Sequence, residues 1–549
     1  MAAWSRRGAR GFGGRRGSLV AAAVGGAVAV SVVLAVSQAE AGAGDATLTA
    51  SRLASGPSEV RISDGVLQGA VHDEGRLFAG IPYAAPPVGA LRWTMPRPET
   101  PWTGVRAATT RGQICAQTAT PGIGGPSSTS EDCLTLNVNT PPVQPRSAHL
   151  PVMVWIHGGS FVSGAGSQYD PEVIARRGNV IVVTINYRLG AFGWLASPAL
   201  DAESRGGASG DYGLGDQQAA LRWVQSNIAS FGGNPHNVTI FGESAGGSSV
   251  CAQLASPSAA GLFQRAIAES GCSIGAVAQP KAAAAGSALA QKLGCTDTAT
   301  QLACLRGRSA ADVLAASSAS MPTLATGTRI LPTDVETAFQ SGKYHRVPLI
   351  NGTNHDEGTL LLLLALGTFR PTEPQYEGLV AQQYGASSQK VLAAYPASKY
   401  SSPTLALAAV VTDSDFTCPA LRADAALSRS TLVYGYEFND PSPPVLLQSD
   451  FPLGAYHGSE LAYVFQRTPV QGGAPRFTPA QLALSNQIID YWTHFARYGV
   501  PDTTGQPRWP AAVSRQVQSL DPAGTRPVSI SSVVNDHHCS LWDSLPPTS

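Results

Sequence analysis

The sequence predicts an open α/β fold, with a central, mostly parallel sheet flanked by helices. Three observations carry this expectation. Apolar runs recur without alternation, as in residues 152–156 and 180–185, the pattern of parallel strands covered on both faces. Helical patterns fill the gaps, as in residues 216–231, where Leu221, Val224 and Ile228 share a face. The run 238–241 leads into Gly242-Glu243-Ser244-Ala245-Gly246-Gly247 and then into a helical pattern with Val250, Cys251 and Leu254. Strand, G-x-S-x-G, helix is the order that lifts a serine onto the apex of a sharp turn.

Composition sets the frame. Of 549 residues, 43% are hydrophobic and 13% charged, ample for a large core. Formal net charge is zero, so no nucleic-acid partner is expected. Length alone would suggest three domains, but the pattern below argues for one, over residues 60–549.

The elements follow in chain order. Residues 1–41 read as an export signal. Arg6, Arg7, Arg10, Arg15 and Arg16 form a basic start, residues 19–36 are apolar, and Ala39-Glu40-Ala41 fits a cleavage site. The alternative is a retained membrane anchor, since that stretch stands at the lower edge of spanning length. Arg15-Arg16 followed by Gly-Ser-Leu is a poor twin-arginine match. Residues 42–59 are small and polar, a flexible mature N-terminus. After signal removal no further membrane segment is expected, and the protein is expected to be secreted.

Gly80 to Gly89 carries turn residues around a short strand, and residues 116–130 form a Gly, Pro, Ser and Thr-rich loop that Cys115 and Cys133 would staple. Strands are predicted over residues 152–156, 180–185, 238–241, 266–268 and 347–350. A sixth, 432–438, alternates more and is expected nearer an edge. Residues 279–325, rich in Ala and Ser, are expected to be a helical insertion over the sheet. Residues 481–497 place Leu482, Ile488, Ile489, Trp492 and Phe495 at helical spacing.

Parallel strands present their C-terminal ends to a common crevice. After the first predicted strand comes His157-Gly158-Gly159-Ser160-Phe161. Its glycines let backbone N–H groups approach an oxygen, and with the N–H of Ala245 they would form a three-donor oxyanion hole. After the fifth comes Asn354-His355-Asp356-Glu357-Gly358, where Asp356 and Glu357 compete as the acid. About twenty residues after the sixth comes Tyr456-His457-Gly458. Serine needs an adjacent base, and that base needs a carboxylate to fix its tautomer. Ser244, an acid and His457, in that chain order, point to an α/β-hydrolase fold. Such chemistry needs no metal or cofactor. The cysteines show no C-x-x-C spacing, and His537-His538-Cys539 reads as surface or disulfide context rather than a ligand set. His157 is expected to brace its loop and His355 to be structural. Glu243 adjoins the nucleophile and would tune the site. Residues 360–366 would either wall an acyl pocket or form a core helix.

These motifs resemble the type-B carboxylesterase/lipase family, which includes cholinesterases and bacterial para-nitrobenzyl esterases. The likeness runs from about Val60 to Trp542. It rests on G-E-S-A-G at Ser244, D-E-G at Glu357, the segment at His457, residues 131–137 and residues 186–193. The resemblance implies a triad of Ser244, Glu357 and His457, taking Glu357 over Asp356, with Gly158, Gly159 and Ala245 as the oxyanion hole. It implies disulfides Cys115–Cys133, Cys295–Cys304 and Cys418–Cys539, and ion pairs Arg92–Glu131 and Arg188–Asp216. Cys251 and Cys272 lie outside that set; a fourth disulfide and buried free thiols both stay open. The implied activity is hydrolysis of small-molecule carboxylic esters. A lipase acting on longer acylglycerols and a non-catalytic, neuroligin-like binding protein are the alternatives, the latter disfavoured by the presence of all three triad residues. Residues 116–132 contain no aromatic side chain, which argues against choline recognition, and Asp211 stands where the family usually has Asn.

Overall fold

The computed structural model describes residues 58–546 except 121–124, 143–148, 205, 273–274, 318–323, 446 and 468–472. The expected signal, and all but the last two residues of the expected flexible segment, lie outside the described residues.

Among the described residues thirteen strands join one sheet. It begins with β1 (Glu59–Ile62), β2 (Gly65–His72), β3 (Gly75–Pro82), β4 (Val105–Ala108) and β5 (Thr135–Thr140). Here β1, β2, β3 and β5 run antiparallel, with β4 parallel beside β2. The centre follows with β6 (Leu150–Ile156), β7 (Ile181–Ile185), β8 (Gly233–Glu243) and β9 (Arg265–Glu269). A separate two-stranded pair, β10 (Val277–Ala278) and β11 (Ala325–Thr326), interrupts the chain. The sheet then resumes with β12 (Leu349–Asn354), β13 (Val433–Phe438), β14 (Gln516–Leu520) and β15 (Arg526–Ser529). In the order β7-β6-β8-β9-β12-β13-β14 every neighbour is parallel, while β15 returns antiparallel at the edge. This is the α/β-hydrolase architecture: a mostly parallel sheet between helices.

The unbroken apolar runs have a direct cause. Side chains alternate across a strand, and here each face meets its own core. Val152, Val154, Val183, Ile240 and Ala266 pack with Leu221, Val224, Val250 and Leu254 from the helices Tyr212–Asn227 and Ala245–Ala255. Met153, Trp155, Val182, Phe241 and Ile267 pack on the other side with Ile488, Ile489, Trp492 and Phe495 from the helix Pro479–Tyr498. Each such fully buried aliphatic side chain stabilises by roughly 1.5–3 kcal/mol, so these positions stay apolar on both faces.

Residues 433–438 lie nearer an edge than the other predicted strands, as expected: β13 is third from the β15 end, yet it is buried along its whole length between β12 and β14. Its apparent polar alternation is satisfied internally. The Trp509 indole donates to the Gly435 carbonyl at 3.1 Å, and Glu437 meets the buried His537 ring at 2.7 Å. The N-terminal flank β1–β5 was largely invisible beforehand, because its strands are short and their burial depends on partners far along the chain.

The insertion is helical, with Gln279–Lys292, Gln301–Gly307 and Ala310–Ala316 building a small core on Trp93, Phe192, Leu195 and Tyr212. Four disulfides are present: Cys115–Cys133, Cys295–Cys304, Cys418–Cys539 and Cys251–Cys272. The last resolves the open question in favour of a bond. Arg92 pairs with Glu131, and Arg188 holds Asp216 by two bonds of 2.8 and 2.7 Å.

Candidate active site

The serine turn is built by exclusion of side chains. A Cβ on Gly242 would lie 2.5 Å from the Ile156 carbonyl oxygen, and one on Gly246 would lie 1.9 Å from the same atom. β8 and the helix it feeds therefore meet edge to edge against β6, and only glycine fits. Ser244 between them takes φ 56° and ψ −121°, a conformation that costs about 1–3 kcal/mol. Its N–H donates to the Glu269 carbonyl at 2.9 Å and its carbonyl accepts from Ser248 N–H at 2.8 Å, which holds the strained turn.

Three loops bring the predicted residues together at the C-terminal edge of the sheet. His457 Nε2 lies 2.8 Å from Ser244 Oγ, and His457 Nδ1 lies 2.5 Å from Glu357 Oε2. Glu357 is wholly buried in the first turn of the helix Glu357–Leu366, and its Oε1 accepts the Asn354 N–H at 2.8 Å. Asp356 faces elsewhere: it accepts the Ala455 N–H at 2.9 Å and meets His355 Nδ1 at 3.1 Å. Asn354 Nδ2 also donates to the Tyr456 carbonyl at 2.9 Å and to Glu460. One asparagine thus couples the acid turn to the histidine segment, and Phe416 packs on the His457 ring at 5.1 Å.

The turn after β6 lies against the serine. A Cβ on Gly158 would stand 3.2 Å from Ser244 Cβ and 2.8 Å from the Glu243 carbonyl oxygen. Gly159 has φ 102°. Among the described residues the N–H groups of Gly159 and Ala245 have no backbone acceptor, while the Gly158 backbone bonds the Tyr169 hydroxyl. His157 is buried, stacks on Tyr187 at 4.4 Å, and its Nδ1 meets the Gly158 carbonyl at 2.8 Å. Burial pulls its pKa down to about 4, so it is neutral. Gln117, inside the Cys115–Cys133 loop, grips Gly164 of this turn through bonds of 2.8 and 3.1 Å.

Electrostatics concentrate around His457. Burial opposes its charge, but the carboxylates of Glu243 and Glu357 outweigh burial and raise its pKa to about 9. Glu243 is raised to about 7 and Glu269 to about 8, both chiefly by burial, and Glu460 is pushed up for the same reason. Sequence reasoning missed Glu269, Glu460, Asn354 and Gln117. Glu269, Asn354 and Gln117 act through neighbours remote in sequence with no local motif to mark their roles, while Glu460 ends the H-G-x-E-like segment at His457 without a role of its own there.

The remaining candidates fall into place. The leucines after Glu357 divide: Leu360, Leu363 and Leu364 pack on Leu453, Phe451 and Tyr456 of the histidine segment, while Leu361, Leu362 and Leu366 pack on Tyr376, Val380 and Leu407. Asp211, buried at φ 57°, accepts the Ala325 N–H at 3.0 Å and the Thr328 hydroxyl at 2.6 Å, which ties the insertion to the helix Tyr212–Asn227. The His537-His538-Cys539 cluster is disulfide context rather than surface at His537: that residue is buried, and Cys539 bonds Cys418. His355, Asp536 and His537 bring possible metal-ligand atoms within 4.8 Å. Both His537 ring nitrogens, however, already face carboxylates, Asp413 at 2.6 Å and Glu437 at 2.7 Å.

Comparison with known proteins agrees with this architecture. Residues 56–542 match the model of the carboxylesterase family. The chain is 37% identical over 484 residues to cocaine esterase of Homo sapiens, covering 81% of this chain and 84% of that one. It is 37% identical over 473 residues to para-nitrobenzyl esterase of Bacillus subtilis (strain 168), covering 81% and 91%. Among solved structures, a thermophilic PNB esterase superposes with a TM-score of 0.76 at 34% identity, over 88% of this chain and all of that one.

Proposed function

The chain belongs to the carboxylesterase family and is a carboxylic-ester hydrolase, and from that premise we propose that it works through an acyl-enzyme on Ser244. Ser244 Oγ attacks the ester carbonyl carbon while His457 Nε2 takes its proton. The carbonyl oxygen becomes an oxyanion, held by the amides of Gly158, Gly159 and Ala245, each worth about 10²–10³ in rate in comparable sites. Collapse breaks the bond to the alcohol oxygen, which leaves with the proton from His457. Water then attacks the acyl-enzyme, His457 takes its proton, and the acid is released as Ser244 recovers that proton. Glu357 holds the imidazole in the required tautomer and stabilises its charged form.

The observation that carries this reading is the unbroken chain from Ser244 Oγ to His457 to Glu357, at 2.8 and 2.5 Å. The test is Ser244→Ala with a short-chain nitrophenyl ester: hydrolysis is lost while circular dichroism is unchanged. Turnover that survives the substitution removes the assignment. A series of esters from acetate to palmitate then defines the acyl preference.

We also infer that residues 60–549 act as one catalytic unit and that the protein is exported. Four disulfides suit an oxidising compartment. Among the described residues no helix is long and apolar enough to cross a membrane. The N-terminal residues 1–41 supply the signal in this reading.

A further inference from the structure

Register places one row of residues directly beneath the serine turn. Glu243 on β8 pairs with Glu269 on β9, Glu269 with Gly352 on β12, and Gly352 with Tyr436 on β13. Partners in parallel strands point to the same face, here the face that meets Trp492. Gly352 has no side chain, and a Cβ there would lie 2.3 Å from the Tyr436 ring. The phenol therefore leans across the missing side chain towards Glu269.

Glu269 is wholly buried and tied to the nucleophile twice over. Its carbonyl accepts the Ser244 N–H at 2.9 Å, and its side chain stands in register with that of Glu243, whose Oε1 lies 3.2 Å from His457 Nε2. Its Oε1 accepts the Trp492 indole N–H at 2.9 Å, while its Oε2 has no partner. Tyr436 OH is likewise buried without a partner. Glu460 comes in from the histidine segment, with one oxygen on Asn354 and the other unpartnered.

The groups that face Glu269 are acidic or neutral from every packed element: Glu243 from β8, Glu460 from the histidine segment, Tyr436 from β13 and Tyr169 from the loop before residue 172. His457 and Glu357 lie beyond Glu243. Among the described residues no Arg or Lys pairs with Glu243, Glu269 or Glu460. Three ionised carboxyls in one buried site would repel strongly, and the charged His457 ring touches Glu243 but neither Glu269 nor Glu460. Glu243 has the His457 ring to favour its charge. Glu269 has only an indole N–H on one oxygen and Glu460 only an amide donor, and the second oxygen of each has no partner.

We propose that Glu269 is a positioning residue for ester hydrolysis: it stays protonated, and so leaves Glu243 as the carboxylate that faces the His457 edge turned to Ser244. This rests on the reading of Ser244, His457 and Glu357 given above. Burial, which raises the Glu269 pKa to about 8, acts in the same direction.

The experiment is infrared spectroscopy of the intact protein at neutral pH, with Glu269→Gln and Glu269→Leu variants and kcat/KM measured against pH. The wild type is expected to show a protonated-carboxyl carbonyl band that Glu269→Gln removes. Glu269→Leu lowers kcat about tenfold, and Glu269→Gln, the neutral isostere, restores most of it. Near neutral pH the Glu269→Gln variant keeps kcat/KM within about twofold of wild type, since both carry a neutral group at this position there. An unchanged carboxyl band in Glu269→Gln, a neutral-pH kcat/KM of Glu269→Gln as low as that of Glu269→Leu, or wild-type kcat in Glu269→Leu overturns the proposal. The infrared band is independent of turnover, so its failure is distinct from loss of the esterase assignment, which Ser244→Ala tests.

Discussion

Glu243 Oε1 lies 3.2 Å from His457 Nε2, the same ring nitrogen that faces Ser244 Oγ at 2.8 Å. In the proposed mechanism the acid next to the nucleophile in sequence thus touches the base on its working edge, while Glu357 holds the opposite nitrogen. Between two carboxylates the imidazole binds a proton more tightly than in water, and Glu243 is itself held up by burial.

This arrangement sets a pH profile. Only neutral His457 accepts the serine proton, so kcat/KM rises with pH towards an inflection near its raised pKa, about 9. Glu243→Gln removes an anion that favours the charged ring. The inflection is expected to move to lower pH, by about one unit, with a smaller plateau kcat because the transient imidazolium loses a neighbour. A profile that stays put or moves to higher pH contradicts the role given to Glu243.

Gly158→Ala tests the oxyanion turn. The new methyl would meet the Glu243 carbonyl oxygen at 2.8 Å and Ser244 Cβ at 3.2 Å, so the Gly158 amide must shift away from the reacting oxygen. A fall in kcat of about 10²–10³ is expected, together with a lower melting temperature because the methyl meets backbone. Near-normal kcat would place the oxyanion elsewhere.

The disulfides differ in the loop they close. Cys418–Cys539 spans 121 residues in sequence and Cys295–Cys304 spans 9. The chain-entropy relation makes the long link about 2 kcal/mol more stabilising than the short one. Denaturant unfolding of the two paired Cys→Ser variants measures this. Equal losses would mean that native-state effects outweigh loop closure.

His537 makes stability sensitive to alkali. Burial disfavours its charge, but Asp413 and Glu437 outweigh burial and raise its pKa to about 10. A raised folded-state pKa contributes stability that is complete below the unfolded value, about 6.5, and is lost as pH climbs through about 10. His537→Phe leaves both carboxylates without their shared cation and is expected to cost about 3–5 kcal/mol at neutral pH. Thermal melts should show the wild type losing part of its advantage over the variant as pH rises. His355 packs on the His537 ring and its charge is also favoured by Glu437, so the same pair of melts is run in a His355→Phe background. A gap that widens with pH would refute the assignment.

The parts that sequence alone determined are those in which cause and effect are neighbours in the chain. The Ser244 turn is one: apolar strand, flanking glycines and helix are contiguous, and sterics between adjacent residues leave few other shapes. The double-sided strands are another, since burial on both faces writes itself as an unbroken apolar run in β6, β7 and β8. What tertiary structure decided was which of two adjacent polar groups meets a distant partner. Asp356 and Glu357 are equivalent as neighbours, and only the helix that starts at Glu357, with the Asn354 N–H holding its carboxyl, turns Glu357 towards His457. β13 alternates because it carries the polar Glu437, and only a histidine one hundred residues further on covers that carboxyl. Glu269 carries no local sign at all, because its position beneath Ser244 comes from the pairing of β8 with β9. Strand register depends on the packing of the whole sheet, and a single chain read in order does not contain it.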